Sequence, residues 1–365
     1  MQNTIEILPL SDSASLSNKQ PTDTNYQAVE QQFVKLLDVE DLDRMVAAKP
    51  SLVIDFESAI AQAISAAYKQ GFSDDAAHRF LQRVLYRINR LNLFWYDDLS
   101  HYNNERSHYL RSVRDRIEEP WQQWELAQID VAALQKLEVK QAVRDRAAAD
   151  VDPPLNESDR YLREQMTAAG YRHLLAIASF DGLVEASRLS RILGGAGNEI
   201  QSTLTRVLIE EYGGGRLSRK HSTYFAQMLA EFGMSTEPEM YFDLVPWEVL
   251  AGTNHNFLLT ERKRHFLRYN GGLTYFEVAG PVAYRNYLAA AQRLGLSQAA
   301  MGYWELHIRE DERHGRWMLD EVALPLADRY SQDGWELVLG YDQEKLIGDR
   351  AAAAVTRSIQ TAEQN

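Results

Sequence analysis

The stretch that decides the fold reads His307-Ile-Arg-Glu-Asp311-Glu-Arg-His314, with strong helix formers on both sides. On a helix each residue turns by about 100°, so positions 307, 311 and 314 fall within roughly 60° of one another. Two imidazoles and a carboxylate therefore point the same way. Imidazole combined with carboxylate is the ligand chemistry of iron, manganese or zinc rather than of calcium or magnesium. Taken alone, the pattern also fits a solvated helix face, because Arg309, Glu310, Glu312 and Arg313 are all charged.

Composition narrows the field around this stretch. The chain has 365 residues, 45% of them apolar, which allows one large domain or two modest ones. A formal net charge of −13 argues against nucleic acid or an anionic membrane as the main partner. There is no cysteine, which excludes disulfides, cysteine-ligated iron–sulfur clusters, thiolate haem ligation and cysteine nucleophiles. No apolar run approaches the length of a membrane span. The polar N-terminus lacks a basic region and an apolar signal core. The expectation is a soluble cytoplasmic protein.

The remaining periodicity is helical, and no period-two run is convincing, so an all-α fold is expected. Residues 1–25 are polar and expected to be disordered. Residues 26–150 read as a helical region, with segments at 26–47, 52–70 and 73–95. Ser73-Asp-Asp caps the last of these, and Pro120 opens a further helix. Pro153-Pro154 marks a linker, after which Asn156 or Ser158 can cap the next helix. Breaks are expected at Gly194–Gly197, Gly213–Gly215, Ser235–Pro238 and Gly280-Pro281. Residues 341–365 read as a short helix and tail.

Other acids and histidines keep company with the opening motif. Glu277 stands in an apolar, aromatic run, where a charge is costly unless paired or metal-bound. Glu211 ends an apolar helical run, and Gly213-Gly-Gly215 turns the backbone before His221. An ordinary helix C-cap and a surface histidine are the plain alternatives for these.

The order Glu-x-Gly-x-Gly-x5-His, an isolated Glu, then His-x3-Asp-x2-His resembles the haem-oxygenase-like diiron oxidases and oxygenases over residues 155–335. The resemblance implies a haem-oxygenase-like helical bundle in which three core helices hold two irons. It makes Glu211 and His221 ligands from the first core helix and Glu277 the ligand from the second. His307, Asp311 and His314 come from the third. Glu185 matches the additional carboxylate that N-oxygenating members take from an auxiliary helix. Those members also carry an N-terminal helical region used for dimerisation, similar in size to residues 26–150, so a homodimer is expected. The apolar surface of Leu93-Phe-Trp-Tyr96 could serve it. The chain ends too early for the cupin domain that follows in one such member.

The implied activity is that of a non-haem diiron oxygenase. Two Fe(II) would reduce O2 to a bridging peroxide in a peroxo-diferric unit, with an external electron donor completing turnover. N-oxygenation of an amine or guanidine in a small molecule is the preferred reaction. Oxidative C–C cleavage or desaturation of a fatty or amino acid stays open, as does a metal-free helical binding protein. A ferritin-like reading would instead use Glu105-x-x-His108 with Asp311-x-x-His314. Charge favours the diiron set: the four acids Glu185, Glu211, Glu277 and Asp311 balance two Fe(II), while the three histidines bind neutral.

Overall fold

A computed structural model describes residues 24–69, 74–92, 98–195 and 197–364. Among them the regular elements are all helices. The first five are α1 (Tyr26–Leu37), α2 (Leu42–Ala48), α3 (Ile54–Tyr68), α4 (Asp75–Arg90) and α5 (His108–Leu126). Then come α6 (Val131–Leu134), α7 (Val139–Asp150), α8 (Glu157–Glu164) and α9 (Ala168–Gly182). The remainder are α10 (Asn198–Glu211), α11 (His221–Glu231), α12 (Trp247–Glu261), α13 (Phe266–Arg293), α14 (Gly302–Trp317), α15 (Leu324–Arg329) and α16 (Trp335–Gln364). Short 3-10 turns join several of these. A single π-turn over Met318–Ala323 links α14 to α15.

Caps set several helix starts. Asp74, not Ser73, caps α4, accepting from the amides of Ala76 and Ala77. Ser73, residues 1–23 and the 93–96 apolar stretch lie outside the described residues. Asn156 caps α8 in a reciprocal box with Asp159.

Three readings of the helical segments need correction. Residues 26–47 form two helices rather than one, with a turn after Leu37. Pro120 lies inside α5 instead of opening a helix. It leaves the carbonyl of the exposed Arg116 without an N–H donor, a loss that water can make good. Gly280-Pro281 likewise does not end a helix, because α13 runs straight through it. Pro281 has no N–H for the Glu277 carbonyl one turn earlier, so the irregularity falls at a candidate ligand.

One core is built from α1, α3, α4 and α5 around Phe33, Phe56, Phe80 and Trp121, and it includes Trp247 and Ala251 from α12. Two further cores belong to the C-terminal bundle. Leu134, Ala142 and Val143 from α6 and α7 sit in one of them, beside Leu204, Leu258 and Leu337. Hence α6 and α7, placed by the sequence with the N-terminal region, pack with the bundle. A smaller cluster of Tyr86, Phe180, Phe242 and Phe257 joins α4 to α9 and α12.

Residues 341–364 of the segment read as a short helix and tail are neither, and Asn365 lies outside the described residues. They are the greater part of the 30-residue α16, which buries Leu337, Leu339, Tyr341, Ile347 and Ile359. The helix enters the core by lying against α13 with almost no space between backbones. A Cβ built on Gly271 would stand 2.0 Å from the Leu337 carbonyl oxygen, and one on Gly340 would stand 1.9 Å from the Arg268 carbonyl oxygen. Arg268 and Glu336 pair at 2.7 Å beside this crossing.

The crossing makes a signed prediction. Gly340→Ala should destabilise the protein by about 1–3 kcal/mol or more, because backbone must move to admit the methyl group. Gly348→Ala, whose Cβ would meet Tyr275 at an ordinary 3.6 Å, should be neutral or stabilising by up to about 1 kcal/mol through helix propensity. Denaturant melts of the two variants read the difference; equal midpoints would refute the close crossing.

Candidate metal centre

On α14 the charged positions separate cleanly. His307, Asp311 and His314 are buried at 4%, 1% and 0% exposure, while Arg309 and Glu312 face solvent. The motif is therefore an inward-facing stripe rather than a solvated face.

The other candidates come to meet it. Glu277 lies in the middle of α13 and is buried. Glu211 is the last residue of α10 and His221 the first of α11, so two helices supply them, not one. The link between these helices is tight. Gly213 has φ +62°, and a Cβ there would stand 2.4 Å from the backbone of Arg219. Only glycine satisfies both the left-handed turn and that approach. The result is a Glu211 Oε2 to His221 Nδ1 distance of 2.8 Å. Glu185 does not sit on an auxiliary helix. It occupies a turn after α9, next to Ala186 with φ +62°, an uncommon conformation for a residue with a side chain.

All seven side chains converge on one interior point. Glu185, Glu211, His221 and His307 each offer a ligand atom within 4.8 Å of the others. Glu211, Asp311 and His314 form a second such group. Glu277 Oε2 lies 3.4 Å from His314 Nδ1 and so joins the second group. Glu211 belongs to both: Oε2 faces His221, while Oε1 lies 3.4 Å from His314 Nδ1. Two such groups could each hold a metal ion, with Glu211 common to both.

The donor atoms fit a metal pair. Glu185 Oε1, Asp311 Oδ2 and His314 Nδ1 are buried with no hydrogen-bond partner, and such orphans are expensive without a ligand. The electrostatics point the same way. Burial pushes the carboxyls of Glu185 and Asp311 upward, Asp311 well above its usual range. Burial opposes charge on the imidazoles too, yet the surrounding acids win. Asp311 and Glu185 draw His307 up to about 10, and Glu277 and Glu211 do the same for His314. In the metal-free cluster, imidazole protons offset the carboxylates. Two divalent cations would replace those protons.

The residues behind the ligands complete the picture. His307 Nδ1 lies 3.0 Å from the Tyr303 carbonyl, which leaves Nε2 for the centre. His314 Nε2 lies 2.8 Å from Glu210 Oε2, which leaves Nδ1 for the centre. Arg313 donates to Glu210 at 2.6 Å and also pairs with Glu310. Glu210 had no place in the sequence pattern; its only signal was adjacency to Glu211. Its contact with His314 is the kind of carboxylate–histidine pair that orients a histidine where it binds a metal. Tyr303, equally unforeseen, donates its hydroxyl to Glu185 Oε2 at 2.5 Å. Glu105 and His108 are exposed, which removes the ferritin-like pairing.

Beside the centre lies a cavity of about 260 Å³. Glu185, Glu277, His307 and Asp311 form one part of its wall, with Tyr284 and Tyr303. Phe276 lines it and is also exposed, so the cavity opens there. Its size is near the lower end of small-molecule pockets, roughly 300–1,000 Å³.

Comparison with known proteins adds a separate line. Residues 172–342 match the model of a family described as iron-containing redox enzymes. A relative, the nitrosourea synthase of Streptomyces achromogenes subsp. streptozoticus, is 28% identical over 169 residues. That alignment spans 46% of this chain and 36% of the relative, so the chain covers about a third of that protein.

Glu210→Ala, which removes no candidate ligand, should weaken Fe(II) binding by about 10–100-fold, as loss of such support does elsewhere. Competition with a chelator measures this, and an unchanged affinity would contradict the role given to Glu210. Metal should also tighten α14: hydrogen exchange over residues 303–318 is expected to slow on Fe(II) addition. Identical exchange with and without the metal would count against a centre at this position.

Proposed function

We propose, from the match of residues 172–342 to a family described as iron-containing redox enzymes, that this chain is a non-haem diiron oxygenase that N-oxygenates an amine or guanidine in a small molecule. The single observation that carries the reading is the double cluster sharing Glu211, with Glu185 present as a further carboxylate. In this reading His221, His307, Glu185 and Glu211 hold one iron. Glu211, Glu277, Asp311 and His314 hold the other. A bound iron pair supplies the electrons and Lewis acidity that activate O2, and a reductant outside the chain restores it. The likeness to a nitrosourea synthase supports a nitrogen atom as the site of oxidation.

The chain's own residues do the rest. The Tyr303 carbonyl and Glu210 hold the far nitrogens of His307 and His314, so each ring turns its other nitrogen inward, where a metal would replace its proton. The Tyr303 hydroxyl fixes one oxygen of Glu185, leaving the other free for a metal. Tyr284 and Tyr303 form part of the cavity wall, and their hydroxyls stay protonated because burial pushes both well up. They can donate a hydrogen bond but do not act as bases at neutral pH. The cavity is small, which limits the water that competes with substrate for the reacting species. No helix among the described residues is long and apolar enough to cross a membrane. A homodimer through the N-terminal helices is part of the same proposal.

Anaerobic loading with Fe(II), desalting and metal counting should return close to two irons per chain. Asp311→Ala should retain about one or fewer, as expected for loss of a first ligand. On mixing with O2, wild type should show a transient visible absorption that Glu185→Ala shortens. A wild-type protein that retains no iron would end this reading.

A further inference from the structure

The cavity has a second charged region that the metal centre does not use. Glu344 on α16 lines it, together with Arg188, Asp181 and Asn256. Among the described residues no basic side chain forms an ion pair with Glu344. Its hydrogen bonds come from one nitrogen: Asn256 Nδ2 sits 3.2 and 3.3 Å from the two carboxylate oxygens. Burial pushes the carboxyl up to about 7 in spite of Asn256 and the nearby Arg188. A Cβ at Gly272 would stand 3.2 Å from Glu344 Oε2, so glycine there leaves the carboxylate uncovered.

Arg188 is incomplete in the opposite sense. Its Nη2 donates to Asp181 at 2.8 Å, but its Nη1 is buried with no acceptor. Arg188 and Glu344 line the same small space without pairing to each other. A carboxylate short of a cation and a guanidinium short of an acceptor each lose free energy when left so. Both would be satisfied by one ligand carrying an ammonium and a carboxylate.

We propose that Glu344 and Arg188 clamp the head group of an amino acid, Glu344 taking the ammonium and Arg188 the carboxylate. The rest of the molecule then occupies the part of the cavity walled by Glu185, Glu277, His307 and Asp311. This names the substrate class of the oxygenase site and rests on the cavity being that site. Arg188 and Glu344 are specificity residues in this scheme; neither belongs to the seven-residue cluster.

The test is a set of affinity ratios measured by calorimetry on the full chain loaded with Fe(II) under anaerobic conditions. The probes are L-arginine and L-lysine, their decarboxylated forms agmatine and cadaverine, and their forms lacking the α-amino group, 5-guanidinopentanoate and 6-aminohexanoate. In wild type at least one amino acid should bind, and losing either head-group charge should weaken it at least tenfold. In Glu344→Gln the tenfold preference for the α-ammonium should vanish while that for the carboxylate survives. Arg188→Gln should show the reverse. Because each ratio compares ligands on one variant, a general loss of stability cannot imitate the pattern. Wild-type ratios in both variants, or no binding of either amino acid to wild type, would overturn the clamp. Iron counted in the same samples separates the two ideas. Iron retained without head-group discrimination removes only the clamp, and iron absent from wild type removes the centre itself.

Discussion

Four carboxylates share one buried point in this protein, and among the described residues their ion pairs are with histidines alone. Bringing like charges together away from water is unfavourable unless something of opposite sign joins them. Protons on His307 and His314 fill that need in part, and in the proposed centre two divalent cations would fill it fully. The bundle is arranged around this requirement. The seven candidate ligands come from five backbone contexts: a helix end, a helix start, a helix middle, a three-residue stripe and a strained turn. That variety is what lets so many short acidic side chains reach one place.

α13 is where this demand meets the packing. It carries Glu277 and continues through Pro281, whose missing N–H falls on the Glu277 carbonyl. Its N-terminal half lies backbone to backbone with α16 at Gly271 and Gly340. The same contact brings Glu344, one turn further along α16, to the wall of the cavity. One candidate ligand, Glu277, and one residue of the region assigned to substrate, Glu344, are thus carried by one pair of helices. The N-terminal helices reach this pair through α12, which contributes Trp247 and Ala251 to their core.

Some of this was legible from residues alone. Helical periodicity depends on near neighbours, and so does the i, i+4, i+7 spacing of His307, Asp311 and His314; both could be read directly. Gly213–Gly215 was legible as a turn because its left-handed backbone suits glycine and little else. Harder cases came from competition between local rules and packing. Pro120 and Pro281 are breakers by local rule, yet each sits inside a helix held on both sides by neighbours. The Ala-rich segment after residue 341 looked peripheral, but it continues a helix anchored by buried Leu337, Leu339 and Tyr341.

The roles of Glu210, Tyr303, Arg188 and Glu344 lay beyond any local pattern. Glu210 meets His314 across 104 positions, and Tyr303 meets Glu185 across 118. No periodicity links residues so far apart. By itself, the sequence determined that the chain is helical and which acids and histidines are candidates, since helix formation and ligand chemistry are properties of residue types and short spacings. Only the tertiary structure decided which atoms face one another, which nitrogen of each ring turns inward, and that an acid without a cationic partner and a guanidinium with one nitrogen lacking an acceptor share the cavity. Those facts depend on distances between helices, and helix packing sets them after the local structure has formed.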